Sequence, residues 1–370
     1  MRQIHVQSTG FAYAVRIGLS LLPSLGREAK AASRSLRAAL ITDTHVAAHY
    51  LEAAMASLRE AGLEAEPIVL VPGEATKTLE QAGRLYDRML RARLDRGSVV
   101  VALGGGVITD LAGFVAATYM RGIRWVAVST SLLGQVDASV GGKTGVDHPE
   151  CKNLIGAFHQ PCAVLADVGT LRTLPDEELR TGLAEVVKHA VIRDADLFGM
   201  LEAQAREILG RDPAVLEDVV ARNVLIKADV VMADEREGGL RRILNYGHTV
   251  GHALESLAME ASGRLGGAAV THGRAVALGM MAEAHIARRR GLAPAGVVER
   301  QRGLLERFGL PVRLDPPPDP DRCLAIMGHD KKAEAGRLRF VLPEAIGRTT
   351  EADDVTDAEV RDAILSLGCV

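Results

Sequence analysis

Hydrophobic positions along the chain follow two periods, and the place where one gives way to the other divides the sequence. In the first third, short apolar runs rich in β-branched residues alternate with helical stripes. Residues 36–42 (LRAALIT) predict a strand, and residues 46–61 a helix with Leu51, Met55 and Leu58 on one face. Residues 65–71 predict a second strand and residues 78–94 a second helix. Residues 98–103 (SVVVAL) predict a third strand. It runs into Gly104, Gly105 and Gly106, then a helix with Leu111, Phe114, Val115 and Tyr119 on one stripe. Residues 126–129 and 163–167 predict further short strands. Alternating strands and helices imply a mostly parallel, doubly wound α/β sheet, whose ligands bind at the carboxyl ends of its strands.

After about Thr173 the pattern becomes helical. Pro175 followed by Asp176, Glu177 and Glu178 is a helix start, with acids placed where the helix dipole favours them. Helices are predicted over residues 176–192, 196–208, 215–234, 240–259, 272–290 and 295–308. The switch places a domain boundary near residue 175, between a doubly wound α/β domain (1–175) and a mainly α-helical domain (176–370). Residues 263–267 (GRLGG) predict a flexible insertion before Thr271 and His272. Pro316, Pro317, Pro318 and Pro320 mark a turn, and residues 338–342 (LRFVL) a short strand. No internal repeat is evident.

Composition narrows the function classes. At 370 residues the chain exceeds the usual size of one core, which agrees with two domains. A net charge of −3 and an aromatic content of 3% offer neither the electrostatic footprint nor the stacking platforms of a nucleic-acid binder. No apolar run reaches the ~20 residues of a membrane span, and the N-terminal residues lack the apolar segment of a signal peptide. Cys151, Cys162, Cys323 and Cys369 form no CxxC pair, so a reducing cytoplasm is expected.

The candidate chemistry begins at residues 98–156. A strand, a Gly-rich turn and a helix N-terminus present bare backbone N–H groups to a phosphate. Beyond it, Asp137, Lys143, Lys152 and Asn153 sit in Gly-rich, loop-like sequence, and lysines beside a phosphate-binding turn suggest a second anion, a substrate. Two more loops should lie at the same sheet edge. Asp43 follows the strand 36–42 and can either bond a ribose hydroxyl or cap the next helix. Pro72, Gly73, Glu74, Ala75, Thr76 and Lys77 form a polar turn able to reach a nucleotide, although Glu74 and Lys77 could equally be a solvated ion pair.

In the helical half, Glu185 and Lys188 are spaced i, i+3, and His248 and His252 are spaced i, i+4, with Asn245 one turn earlier. His272 opens a further helix. A carboxylate and two imidazoles with open positions suit a catalytic Zn²⁺ or similar ion. Zincin proteases need Glu after the first His, and here that place is Thr249, which disfavours a metalloprotease. Taken alone, the histidines also fit one buried and one surface His, and Glu185 with Lys188 a surface pair of little energetic weight. Their co-occurrence with a nucleotide turn favours the metal.

The blocks GGGVITDLAGFVA, YMRG, VDASVGGKTGV, KNLIGAF, TLP, GLAEVVKHA, ADEREGGLRRILNYGHTVGHALE and HGRAVALGM together resemble the 3-dehydroquinate synthase family of sugar phosphate cyclases. The resemblance runs nearly end to end, from Asp43 to the late GHDKK and RFVLPEAIG segments. It implies an N-terminal Rossmann-like NAD domain and a helical metal-binding domain. It also implies conversion of 3-deoxy-D-arabino-heptulosonate 7-phosphate to 3-dehydroquinate and phosphate, a lyase step of the shikimate pathway leading to aromatic amino acids. The implied course is transient oxidation by NAD, phosphate elimination, reduction and intramolecular aldol closure.

By the same resemblance, Glu185, His248 and His272 hold one divalent ion, Zn or Co. NAD is implied to meet Asp43, the turn from Pro72 through Lys77, and Gly105, Gly106, Val107, Ile108, Thr109 and Asp110. Thr130, Ser131, Lys143, Lys152, Thr170, Leu171, Arg172 and Thr173 complete that set. The phosphorylated sugar acid is implied to meet Asp137, Lys143, Lys152, Asn153, Lys188, Lys227, Arg241, Asn245, His252 and a lysine of the pair Lys331 and Lys332. A homodimer is implied, in which Arg121 reaches a phosphate across the interface. The chain departs from the family in three places. Ser129, Thr130 and Ser131 stand for Pro-Thr-Thr, Arg274 replaces an acid beside His272, and the interval from His252 to His272 is longer. The rival readings are a cyclase acting on sedoheptulose 7-phosphate, a metal-dependent polyol dehydrogenase and a non-catalytic NAD-binding protein.

Overall fold

A computed structural model describes residues 1–8, 10–149, 151–236, 238–261, 263–265, 268–329 and 338–368. The chain forms two compact units, Met1–Leu179 with Arg211–Glu235, and Arg180–Gly210 with Arg236–Val370.

The first unit is built on a seven-stranded sheet. Its strands are β1 (Arg2–Ser8), β2 (Phe11–Gly18), β3 (Arg37–Asp43), β4 (Glu64–Leu70), β5 (Val99–Gly104), β6 (Arg124–Ser129) and, later in the chain, β9 (Ala163–Asp167). Their order across the sheet is β1-β2-β9-β6-β5-β3-β4. Every pair is parallel except β1 with β2, a hairpin that the sequence reading left unassigned. The strands β5 and β9 are buried along their whole length, as expected where helices cover both faces of a parallel sheet. One layer packs Leu40, Val99, Val101, Leu103, Val126, Val128 and Leu165 against Leu25, Ala29, Ala54 and Leu58 of helices α1 (Leu25–Ala32) and α2 (Thr44–Glu60).

Local signals start the helices of this unit. Asp43 caps α2, Thr78 caps α3 (Leu79–Arg91) by accepting from the Gln81 N–H, and α4 (Gly106–Thr118) opens on the glycine turn. The loop-like character expected around Lys143 and Asn153 is corrected by the structure. Lys143–His148 (β7) and Cys151–Phe158 (β8) form an antiparallel two-stranded sheet of their own. Its glycines are strand residues: a Cβ on Gly145 would lie 2.7 Å from the Ile155 oxygen, and one on Gly156 2.4 Å from the Thr144 oxygen. Close backbone approach, not turn formation, requires them there.

The second unit contains most of α5 (Asp176–Arg193), then α6 (Ala195–Ala203) and α7 (Ala205–Leu209). The next helix, α8 (Pro213–Ala233), is capped by Asp212 and belongs to the first unit. The second unit resumes with α9 (His248–Glu260), the short strands β10 (Arg264–Leu265) and β11 (Ala268–Ala269), α10 (His272–Arg289) and α11 (Ala295–Arg307). It ends with α12 (Pro320–His329), the antiparallel pair β12 (Phe340–Ala345) and β13 (Arg348–Ala352), and α13 (Asp357–Leu365). The helix α10 is its centre, buried on most sides and packed by α9, α11, α13 and β12. Where one helix is expected over 240–259, a 3₁₀ turn (Leu240–Asn245) is followed by left-handed Gly247 (φ 78°) and then α9. The predicted helix 196–208 is likewise broken between α6 and α7 at Gln204.

At the end of α10, Arg290 grips Glu359 of α13 at 2.6 and 2.8 Å and Asp354 at 2.6 Å. The Arg290 guanidinium holds the Glu359 pKa down to about 2, against an ordinary 4.5. A carboxylate whose pKa falls on folding adds stability above its unfolded value and loses it as pH falls through the folded one. Melting temperature should therefore drop as pH is lowered from 4.5 toward 2. In Arg290→Ala the melting temperature should be lower at pH 7 and fall less over that window; identical acid limbs for both proteins would exclude this role.

Candidate active site

In the first unit, five adjacent strands deliver the predicted cofactor residues to one edge. Asp43 ends β3, Pro72 to Lys77 follow β4, Gly105 to Asp110 follow β5, Thr130 and Ser131 follow β6, and Thr170 to Thr173 follow β9. The connections from β3 to β4 and from β5 to β6 run in opposite directions across the sheet. A crevice therefore opens at the carboxyl ends of β3 and β5, the switch point where such sheets bind ligands.

The glycine turn is tight for stated reasons. A Cβ on Gly104 would lie 2.7 Å from Ile108, and one on Gly105 3.0 Å from the Ser131 hydroxyl. The helix α4 starts at Gly106 with no side-chain cap, which keeps its first N–H groups turned to the crevice. Thr109 donates its hydroxyl back to Gly106 O at 3.0 Å, while Val107 and Ile108 continue the first turn. Around the rim, the Thr130 N–H donates to Gly104 O (3.0 Å), and Ser131 Oγ accepts from the Gly134 N–H (3.1 Å). Thr170 bonds Asp167 O (2.7 Å), and Thr173 shares a 2.6 Å bond with Tyr50. Between them Leu171 is buried and Arg172 exposed.

Asp43 does cap α2: its Oδ1 accepts from the N–H groups of His45 and Val46 at 2.9 and 3.0 Å. Both capping bonds fall on that one oxygen, so capping and a ribose contact through the other are compatible. The turn after β4 is not a solvated ion pair. Lys77 is 3% exposed, and its Nζ donates to Asp110 Oδ2 (2.6 Å) and to Asn153 Oδ1. Burial disfavours its charge, but Asp110 and Glu74 hold its pKa above the usual lysine value. The predicted substrate residues Asp137 and Lys227 also meet, with Lys227 Nζ 2.5 Å from Asp137 Oδ1 and from its carbonyl oxygen. Lys143 begins β7 and Lys152 lies on β8 beside Asn153.

In the second unit, Glu185 is fully buried on α5. The ligand atoms of Glu185, His248 and His272 lie within 4.8 Å of one another. Nε2 of His248 and of His272 stand 3.5 and 3.4 Å from Glu185 Oε1, and Lys188 Nζ lies against Oε2. Neither carboxylate oxygen has a hydrogen bond of good geometry. Lys188 supplies one cation to this buried carboxylate, and the two imidazoles face its other oxygen. Burial alone would raise the Glu185 pKa, yet Lys188, His248 and His272 hold it well below the usual range. For His272, burial opposes the charged form, but Glu185 and Glu255 push its pKa up to about 10. The cluster is thus arranged for positive charge, and its two imidazoles and one carboxylate fit a divalent metal with positions left open. His252 meets His248 edge-on at 5.2 Å, and the 3₁₀ turn before Gly247 carries buried Arg241 and Asn245.

The matching family models are the 3-dehydroquinate synthase N-terminal model, over residues 67–181, and the 3-dehydroquinate synthase C-terminal model, over residues 182–333. The chain belongs to the 3-dehydroquinate synthase family. It is 50% identical to the 3-dehydroquinate synthase of Symbiobacterium thermophilum over 96% of this chain and 98% of that one. Among solved structures it is similar to ValA, a 2-epi-5-epi-valiolone synthase from Streptomyces hygroscopicus subsp. jinggangensis with NAD⁺ and Zn²⁺ bound. That likeness has 32% identity and a TM-score of 0.87 and covers 98% of both chains. A 2-deoxy-scyllo-inosose synthase complexed with carbaglucose-6-phosphate, NAD⁺ and Co²⁺ is 25% identical, with the same TM-score over 99% of this chain and all of the other.

In this family member, Lys331 and Lys332 lie outside the described residues, as do Gly266 and Gly267 of the insertion. Sequence reasoning missed Glu255, whose Oε2 lies 3.2 Å from His272 Nδ1, although Glu255 is i+7 from His248 and so shares its helix face. It also missed Glu283, which accepts the Gly247 N–H at 2.7 Å, and Asp147, which accepts the Asn153 N–H at 2.7 Å. Both are contacts across elements, with no signature in local spacing.

Two expectations follow from the geometry. With His272 as a ligand, Glu255→Ala should weaken zinc affinity about 10–100-fold in chelator competition, because a carboxylate behind such an imidazole sets its orientation and basicity. Unchanged affinity would remove Glu255 from that role. Gly279→Ala would put a Cβ 1.9 Å from Gly247 O. Forcing α9 and α10 apart should destabilise the fold by about 1–3 kcal/mol, read as a lower melting temperature, and weaken zinc binding with it.

Proposed function

We propose that this chain converts 3-deoxy-D-arabino-heptulosonate 7-phosphate to 3-dehydroquinate and phosphate, using NAD and one divalent cation, zinc or cobalt. The Glu185–His248–His272 cluster carries the reading, in a chain half identical to a protein that bears that name. The first unit is then the NAD-binding one and the second the metal-binding one. The N–H groups of the Gly105–Gly106 turn would hold the pyrophosphate of NAD, and Asp43 would meet a ribose hydroxyl. When bound, NAD takes a hydride from a carbinol and later returns it, while the cation lowers that hydroxyl's pKa and polarises the ketone.

The chain's own residues supply position and charge. Glu185, His248 and His272 hold the cation. Arg241, Lys152 and Lys227 answer the carboxylate and phosphate, the guanidinium by its planar fork. Lys227 is oriented by Asp137, and Lys188 by Glu185. Lys143, Asn153, Asn245 and His252 add polar contacts that hold one conformer through ring closure, a source of rate by itself. Proton removal during elimination falls to the departing phosphate, so a dedicated general base is not required. The reading includes a cytoplasmic homodimer in which Arg121, on left-handed backbone after Met120, reaches the neighbouring subunit's phosphate. No helix of the described residues is long and apolar enough to cross a membrane.

Phosphate release from the heptulosonate phosphate, measured with and without NAD⁺ and chelator, tests the reading. Release should require both cofactors and leave no net NADH. His272→Ala should lose bound metal and turnover; full zinc with a normal rate would sink its assignment. Lys152→Ala should mainly raise KM. Another sugar phosphate cyclase activity is the second reading, favoured by the likeness to 2-epi-5-epi-valiolone synthase. Faster turnover of sedoheptulose 7-phosphate in competition would select it, and accumulation of NADH would point to a polyol dehydrogenase.

A further inference from the structure

We propose that Lys77 is a positioning residue for the hairpin β7–β8, so that the turn after β4 and the tip carrying Lys152 and Asn153 move as one piece. This rests on the reading that Lys152 and Asn153 hold the phosphorylated substrate.

Among the described residues the hairpin pairs with no other strand, and an isolated two-stranded sheet is marginal in water. Something else must fix its tip. Packing of β7 on α4 secures the end near Thr144, where a Cβ on Gly113 would lie 2.5 Å from the Thr144 methyl. The other end is held by Lys77 through both main chain and side chain. Its carbonyl accepts the Asp147 N–H at 2.8 Å, next to a bridge pairing Thr78 with Asp147. Its ammonium donates to Asn153 Oδ1 while anchored on Asp110 Oδ2 of α4. Asp147 closes the loop by accepting the Asn153 N–H. Lys77 thereby touches β7 and β8 together.

The geometry of Asn153 makes that grip consequential. Its φ is +53°, a left-handed conformation that asparagine tolerates better than most side chains, and here the Asp147 carboxylate and the Lys77 ammonium both hold it. Lys152 is the next residue back along β8, so its direction follows the backbone that Lys77 and Asp147 hold. A lysine with its ammonium committed to Asp110 and Asn153 acts on the anion through Lys152 and Asn153.

The test uses the full chain with Lys77→Met, Asn153→Ala and the double variant. Losing a charged hydrogen bond should raise the KM for the heptulosonate phosphate about tenfold or more, and raise it more than the Kd for NAD⁺ measured by calorimetry. The double variant should be no worse than Asn153→Ala by more than about twofold, since both changes cut one contact. Hydrogen exchange at the Asp147 and Asn153 amides should accelerate in Lys77→Met, with β5 amides unchanged. A larger loss of NAD⁺ affinity than of substrate affinity, additive effects in the double variant, or unchanged exchange at those two amides overturns the proposal. Should Lys77→Met fail to fold, Asp147→Ala, partly exposed at the other end of the grip, must show the same KM shift and exchange at Asn153. If the wild-type chain releases no phosphate, the proposed reaction fails, and the exchange result still decides the role of Lys77.

Discussion

Close backbone contact at a few glycines is the constraint on which the Glu185–His248–His272 cluster depends. Glu185, His248 and His272 sit on three helices, and their ligand atoms can converge only if those helices nearly touch. A Cβ on Gly279 would meet the Gly247 oxygen, one on Gly251 the Ala275 oxygen at 3.1 Å, and one on Gly273 the Thr181 backbone at 2.4 Å. The first two contacts press α9 onto α10. The third presses the start of α10 onto α5, one turn before Glu185. Glu283 adds a bond to the left-handed Gly247 that opens α9 immediately before His248. Packing and the convergence of the three side chains are thus one arrangement, since interiors at crystal-like density do not stretch to accommodate an extra methyl group.

Electrostatics then give the arrangement its chemistry. A fully buried carboxylate is tolerable because Lys188 and two imidazoles surround it, and the same surroundings favour a cation between them. The first unit solves the complementary problem. Its crevice offers uncapped N–H groups at α4 and ammonium groups held in place by carboxylates, Lys77 by Asp110 and Lys227 by Asp137. A lysine fixed by an acid keeps both its charge and its direction, which a solvated lysine does not. Departures from the family pattern leave these features in place: Ser131 keeps a hydroxyl, and it bonds the Gly134 N–H.

Much of this was legible in the chain because it depends on local rules. Strand and helix periods located β3, β4, β5, β6, β9 and most helices to within a few residues, since alternation and 3.6-residue stripes are properties of short segments. The glycine turn and the helix start after Asp43 were legible for the same reason, each being a residue type at a fixed position in an element, whereas the choice of Glu185, His248 and His272 as a set came from the family resemblance. The antiparallel N-terminal hairpin, the break at Gly247 and the β7–β8 hairpin were not. In each, the deciding partner lies elsewhere: β9 beside β2, Met280 and Val276 beside Gly247, and Lys77 beside Asp147.

The sequence by itself determined which residues were candidates: an α/β unit with a glycine turn at a helix start, a helical unit with a carboxylate and two histidines, and lysines grouped near the turn. Tertiary structure alone decided how they are held. It made Glu255 the partner of His272, Glu283 the partner of Gly247 and Lys77 the partner of Asn153. Those pairings join residues 17, 36 and 76 positions apart. Hydrogen bonds at that range are set by how helices and strands pack, and side-chain periodicity within one element carries no information about what will lie across from it.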